Sequence, residues 1–499
     1  MVQLETFQVP APGRYGLNTQ GDVDTDTLDW AVTADNCTYD EFGRLVSRKG
    51  WVQNTTTPLG GTPQIDTIFE YKITNIDTKI ISAANNLIYH GTTTLTNITG
   101  TPAKTANNWT FQNFNGKVVG WQQGHTPIVW NNTGNFAIIV ASDGTLPLGD
   151  TCLSAFGRIW AFDAGGTVLQ YSGLLNEALW ASAGAGSVDL KSNKAAVHSG
   201  TDYGVALAEF NGRLIVLLKN TVLIYAGAFD PATMVLQDVI RNVGCAAKDS
   251  VKSLGNELVW LSQRGLVGLS RALSSGSMPS VTYSGRVRDA FLSTILAAGN
   301  GPIRAAYNES DGFYVICSQP YAWVFDVKQP LEDGTFRVTQ WTQIEPRSVH
   351  FAVNQTLYIG KAGVVGSYSG DADNTTSFQM KWVSNWSKLA TNQFKFVKAL
   401  EFLLSHTGQQ ISTISIAYDY LPTVSSAVVI SGMPSVVSEW NVSQWNIDEF
   451  GVGKGQETAR STMVASGTYL QVSFSAAILN KSLSVQNLKL LLTLGRTSY

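Results

Sequence analysis

Apolar and polar residues alternate along most of this chain in short strand-length bursts broken by turn residues, and a helical period is nearly absent. Seven segments share one pattern of turn, strand, tight turn, strand: residues 78–91, 114–131, 156–173, 210–227, 254–270, 311–326 and 354–370. Their leading turn residues, Thr78, Gly116, Gly157, Gly212, Gly255, Gly312 and Asn354, are 38, 41, 55, 43, 57 and 42 residues apart. A mean of about 45 residues is the length of a four-stranded propeller blade. The pattern therefore predicts an all-β fold centred on a β-propeller of six or seven blades. The longer gaps mark inserted elements at 174–200 and 273–300. The continuous apolar runs Leu214–Leu218 and Tyr314–Ile316 read as inner strands, buried on both faces between adjacent blades.

Three stretches depart from this rhythm. Residues 286–298 place Val287, Phe291, Leu292 and Ile295 on one helical face ended by Gly299-Asn300, which predicts a helix inserted between blades. From 371 onward, period-two segments at 377–386, 395–404, 411–420, 468–477 and 484–494 predict a C-terminal antiparallel β domain of sandwich type. Before the blades, residues 1–26 read as an extended arm that docks on a neighbour or frays. Residues 27–51 read as a long hairpin turning at Asp40-Glu41-Phe42-Gly43. With the Pro/Gly/Thr stretch at 55–64 as a linker, the expected division is 1–64, 65–370 and 371–499.

Composition narrows the function. Charged residues are 14% of the 499, and Lys+Arg 34 against Asp+Glu 37 leaves a formal charge of −3, so there is no general basic footprint for nucleic acid or anionic membranes. No run of 18 apolar residues and no signal-like start appear, which predicts no membrane span and folding in a cytoplasm. Cys37, Cys152, Cys245 and Cys317 are widely spaced and are expected as four free thiols. The five histidines form no metal-ligand pair, and no nucleophile elbow or phosphate loop occurs. We expect no catalytic, cofactor-binding or metal-binding residues, and hence no enzyme. A propeller glycosidase would use two facing carboxylates, of which Asp163 and Asp202 are an example that the sequence does not single out.

The opening stretch runs acidic-Trp, then Asn before the turn, then Gly-Arg-hydrophobic and Arg-x-Gly-aromatic, at Asp29, Trp30, Asn36, Gly43, Arg44, Leu45, Arg48, Gly50 and Trp51. With the Phe-Asn-Gly-Lys/Arg turns at 114–117 and 210–213, the inserted helix and the terminal β domain, it resembles the tail nozzle (tail hub) proteins of short-tailed bacteriophages over most of the chain. The chain is shorter than the larger members of that family. The resemblance implies a homo-oligomeric ring, six-fold in the family, in a virion tail assembled in the host cytoplasm. Its implied partners are the tail adaptor below the portal, tail fibres or spikes, and double-stranded DNA that passes through without specific binding. Arg44 and Arg48 fall on one strand face and invite carboxylates from a neighbouring subunit. They, Trp30, Trp51 and the aromatic loop residues Trp440, Trp445 and Phe450 form the candidate assembly interface. The alternative reading is a propeller lectin or glycan-degrading protein, with the 14 Trp as stacking platforms.

Overall fold

The computed structural model describes residues 4–21, 27–74, 77–100, 107–182, 184–190, 202–275, 282–389, 391–407, 411–421, 426–431 and 455–497. They form two compact units, Gln53–Tyr321 with Glu345–Ser367, and Met1–Val52 with Ala322–Ile344 and Tyr368–Tyr499.

The first unit is the propeller. Blades 1 to 4 are four-stranded antiparallel meanders: Thr67–Lys72, Thr78–Ala84, Leu87–His90 and Thr96–Asn97; Thr110–Phe114, Lys117–Trp121, Ile128–Trp130 and Ala137–Ile138; Cys152–Ala155, Arg158–Phe162, Val168–Tyr171 and Gly186–Asp189; Gly204–Phe210, Arg213–Leu218, Thr221–Ala226 and Val235–Arg241. Blade 5 has three short strands, Lys252–Ser253, Leu258–Ser262 and Gly265–Gly268, followed by helices Leu269–Ser275 and Arg288–Ile295. Blade 6 opens with the hairpin Arg304–Asn308 and Phe313–Ser318, and blade 7 with Ser348–Phe351, Leu357–Lys361 and Val364–Tyr368. The first strands neighbour one another in chain order, with the turn Lys248–Ser250 taking that place between blades 4 and 6, and the first strand of blade 7 returns to that of blade 1. Six of these positions begin with a hairpin of full strands and the fifth is reduced, which accounts for the six-or-seven expectation.

Turn chemistry explains why the blades form where the sequence places them. In the Phe-Asn-Gly turns, Asn115 and Gly116 sit at φ 45° and 68°, and Asn211 and Gly212 at 50° and 71°. Positive φ at both central residues is the two-residue hairpin geometry that follows the strand twist, and Asn-Gly is its preferred pair. These turns join the first and second strands of blades 2 and 4. The apolar runs Leu214–Leu218 and Tyr314–Ile316 are therefore second strands, and the innermost strands are the more polar segments before them. A second strand is covered on both faces by neighbouring blades, so it is the more apolar one. Ile215, Leu217, Val222 and Ile224 of blade 4 pack with Trp260 and Val267 of blade 5, and Tyr71, Ile81 and Ile88 of blade 1 with Phe111, Val118 and Ile128 of blade 2. At about 1.5–3 kcal/mol per buried aliphatic or aromatic side chain, these inter-blade layers dominate the stability of the ring. In the helix Arg288–Ile295 Phe291 and Ile295 are buried, as is Val287 just before it.

The second unit is a two-sheet sandwich. One sheet runs Gly455–Gly467, Gln393–His406, Leu483–Thr497, Leu45–Ser47, Cys37–Tyr39, with Glu5–Pro10 also paired to Leu483–Thr497. The other contains Arg337–Gln340, Trp30–Asp35, Phe378–Ser384, Leu470–Ile478, Ile411–Tyr418 and Ser426–Ser431. Period-two burial in Phe378–Ser384 and Leu470–Ile478 gives each strand one core face, and Phe402 and Phe474 meet between the sheets with ring centroids 5.4 Å apart.

Three expectations change here. Within the N-terminal arm, residues 5–10 are a strand paired with residues 487–492 of the same chain. The long hairpin over 27–51 is a short one, Cys37–Tyr39 with Leu45–Ser47, while Trp30–Asp35 pairs with Phe378–Ser384. The boundaries expected at 64 and 370 fall at 52–53 and 367–368, and residues 322–344 also belong to the sandwich unit. All four cysteines are free and buried, and burial pushes the Cys245 and Cys317 thiols up to about 12. Among the described residues no helix is long and apolar enough to cross a membrane.

Candidate functional site

Two residues of the opening pattern, Asn36 and Arg48, meet in one buried polar cluster in the sandwich unit. Arg48 has no exposed surface. Its Nη1 and Nη2 donate to the two carboxylate oxygens of Asp373, both at 2.7 Å, its Nη1 also to the Lys49 carbonyl at 3.0 Å, and its Nε to Asn36 Oδ1 at 2.9 Å. The guanidinium lies 4.0 Å from the ring centroid of Phe378. This fork-to-fork pairing satisfies most of the donors that burial takes from water. Asn36, at φ 55°, completes the cluster by donating from Nδ2 to the Gln379 carbonyl at 2.8 Å and to Thr342 Oγ1 at 3.0 Å.

The neighbouring positions are fixed in the same way. A Cβ on Gly50 would lie 1.8 Å from the Ala372 carbonyl oxygen, so only glycine lets the two backbones approach. Trp51 is buried, and its N–H donates to the Ala372 carbonyl at 3.1 Å. Asp40 Oδ1 accepts from the backbone N–H of Phe42 and Arg44, both at 2.9 Å, and closes the turn before Gly43 at φ 71°. Arg44 Nε donates to Asp40 Oδ2 at 2.7 Å, and Nη1 to Gln486 Oε1. Trp30 is half-buried against Tyr15, with ring centroids 5.1 Å apart, and Asp29 pairs with Arg14 at 3.1 Å.

The carboxylates that face Arg44 and Arg48 thus come from the same chain, and Arg48 has no surface to offer a subunit. A shared strand face for the two arginines requires an unbroken strand. Strand Leu45–Ser47 ends before Arg48, whose side chain turns into the core. Asp373 carried no recognisable signal, because nothing local distinguishes the one acidic residue in a loop that a buried arginine selects. Trp440, Trp445 and Phe450 lie outside the described residues.

The propeller unit carries a second polar concentration, at the two mouths of its ring of first strands. At the entry ends of those strands a cavity of about 320 Å³ is lined by residues including Asn108, Asp150, Asp163, Tyr203, Lys248 and Ile303. Basic and acidic groups pair across this mouth. Lys248 Nζ donates to Asp150 Oδ1 at 2.7 Å and to the carbonyls of Asp150 and Asn108 at 2.8 and 3.2 Å. Arg304 meets Asp249 at 2.5 Å and Thr67 Oγ1 at 2.7 Å, and Arg347 meets Asp66 at 2.5 Å. At the exit ends a second cavity, of about 410 Å³, is lined by Phe69, Glu70, Lys72, Gln112, Glu309, His350 and neighbours. Burial, with Lys252 and Lys72 nearby, lowers the His350 pKa to about 3 and keeps the imidazole neutral. Burial likewise lowers Lys252, against the opposing pull of Asp249.

No catalytic pairing emerges from Asp163 and Asp202. Asp163 Oδ1 accepts from the backbone N–H of Thr167 and Val168, and Asp202 Oδ1 from those of Tyr203 and Asn220, so both act as turn acceptors. Among the described residues no group of three or more His, Cys, Asp or Glu is arranged to hold a metal ion.

No protein-family model matches this chain, and no curated protein does. Among solved structures it is similar to the WD40 β-propeller domain of Doa1, at 11% identity over 64% of this chain and 96% of that one, TM-score 0.37. It is also similar to the Neurospora crassa Pan2 WD40 domain, at 11% identity over 66% and 97%, TM-score 0.38, and to YCF48 bound to D1 peptide, at 10% identity over 68% and 98%, TM-score 0.40. The propeller itself is read from the strand order given above.

Proposed function

We propose that this protein is a structural virion component, the subunit of the ring-shaped tail nozzle of a short-tailed phage, docked below the adaptor and portal. The observation that carries the reading is the interlocking of Asn36, Arg48, Gly50 and Trp51 with the segment 370–379. Four residues of the opening pattern thus tie two segments of the sandwich unit together, which is what a pattern marking a shared fold should look like. The second support is the charge balance, because a conduit has to pass DNA without retaining it and each neutralised phosphate adds a salt-dependent contact. In this reading six copies enclose the conduit. The axis of one propeller does not serve, since its entry mouth is crossed by Lys248 reaching Asp150 and Arg304 reaching Asn108.

Electron microscopy and solution mass of the purified protein test the assembly, and six-fold rings are expected. Fluorescence anisotropy with short duplex DNA near physiological salt tests the passive wall, with affinity expected to be weaker than the usual non-specific range of about 10⁻⁴ to 10⁻⁶ M. A monomer at all concentrations that binds glycans would overturn the reading in favour of a lectin, and micromolar DNA binding with a steep salt slope would overturn the passive conduit.

A further inference from the structure

Both mouths of the propeller hold carboxylates at the ends of the first strands, and at the entry mouth most of them are matched. At the entry mouth Asp66, Asp150 and Asp249 each meet a basic group of the same unit, Arg347, Lys248 and Arg304 respectively. At the exit mouth Glu70, the fourth residue of the first strand of blade 1, is 2% exposed and lines the cavity of about 410 Å³. Its Oε2 accepts from the Val353 N–H at 3.0 Å, while its Oε1 is buried with no hydrogen-bond partner. A buried carboxylate oxygen left unpaired is costly, and native proteins match such groups or leave them for a ligand.

The candidates to match it inside the chain are few. His350 stays neutral down to about pH 3 and brings no charge. Lys72 is exposed at the rim and makes no bond to Glu70. Glu309, exposed on the same rim, adds a second negative group, and Phe69 and Phe351 supply apolar faces beside them. Two carboxylates, one of them buried with a free oxygen, beside aromatic rings complement a planar cation that donates several hydrogen bonds and stacks: a guanidinium. The volume lies in the range of small-ligand sites, about 300–1,000 Å³.

We infer that the exit mouth of the propeller is a guanidinium site, in which an arginine side chain presented by another chain reaches Glu70 Oε1 between Phe69 and the rim carboxylate of Glu309. The site would complete at this mouth what Arg304 and Arg347 do at the other. It stands on the propeller unit alone and does not rest on the nozzle reading.

L-argininamide serves as the soluble probe, with thermal unfolding of the full chain as the readout at constant ionic strength, and glycinamide and a methyl glucoside as comparisons. The expected result is a saturable rise in melting temperature with argininamide alone. Glu70→Gln should abolish that rise and leave the melt of the free protein equal or higher, since the unpaired buried charge is gone. Glu309→Gln should raise the half-saturating concentration about tenfold, the loss of one modest charged contact. An equal response to glycinamide, a response only to the glucoside, or a response that persists in Glu70→Gln would overturn the proposal. Should Glu70→Gln fail to fold, Glu309→Gln decides, because it changes only the exposed rim, and an unchanged half-saturation there would equally overturn it.

Discussion

At the scale of single residues the two arginines of the opening hairpin behave as opposites. Arg48 is fully buried and paired with both oxygens of Asp373, so truncating it strands a buried carboxylate and should cost about 3–5 kcal/mol, whereas the partly exposed Arg44–Asp40 pair is worth about 0–1 kcal/mol. Chemical denaturation of Arg48→Ala and Arg44→Ala checks this: a large drop in midpoint for the first and a small one for the second. Both arginines were visible in the sequence as a spaced pair. What the spacing could not say was that the strand stops at Ser47, one residue short of Arg48, which sends that guanidinium into the core and leaves Arg44 at the rim. His350 gives a pH prediction of known sign. Its folded pKa, near 3, lies below the ordinary 6.5, so the unfolded chain takes up the proton first. The His350 contribution is fully present above about pH 6.5 and is lost as pH falls toward 3. His350→Gln should flatten the acid limb of a stability–pH curve over that window, measured by denaturant titration at a series of pH values.

At the scale of elements, sequence reading worked where structure is local. All seven turn–strand–turn–strand segments appear as strand pairs, because Asn-Gly and related turns set register within a few residues. It failed where pairing is remote. Nothing in Glu5–Pro10 announces a partner near residue 490, and the polar first strands of the blades were passed over for their apolar neighbours because hydrophobicity marks burial between layers and not nearness to an axis. The same layering predicts the thiol chemistry. Cys152 and Cys317 lie on a first and a second blade strand, and Cys245 precedes blade 5, all buried; Cys37 lies in the sandwich hairpin. A thiol reagent should report four thiols per chain in denaturant and almost none in the native protein, with no change on prior reduction. Fast native labelling would show that the blade edges open.

At the scale of the molecule, the chain begins in the sandwich unit, builds most of the propeller, returns for residues 322–344, adds the last propeller segment and ends in the sandwich. The two units were legible as a propeller and a β domain, but this interleaving was not, since it depends on contacts between segments hundreds of residues apart. It changes the expected behaviour of fragments. A boundary at 370 would let residues 1–370 fold alone, but they contain Glu5–Pro10, Trp30–Asp35 and Leu45–Ser47, whose partners lie in Phe378–Ser384 and Leu483–Thr497. Truncation at 370 should therefore give an aggregating or partly unfolded product, read by circular dichroism and solution mass, and a soluble, cooperatively melting 1–370 would refute the interleaved arrangement. The pairing of residues 5–10 with 487–492 also sets an order of events during synthesis. Blades can stack as they leave the ribosome, but strand Glu5–Pro10 has to wait for Leu483–Thr497, made about 480 residues later. At about 5–20 residues per second that wait is on the order of half a minute or longer. For that time the open edge of the nascent chain is exposed to every other copy on the same messenger, so the yield of this protein should respond to translation speed and to chaperones that shield its first fifty residues.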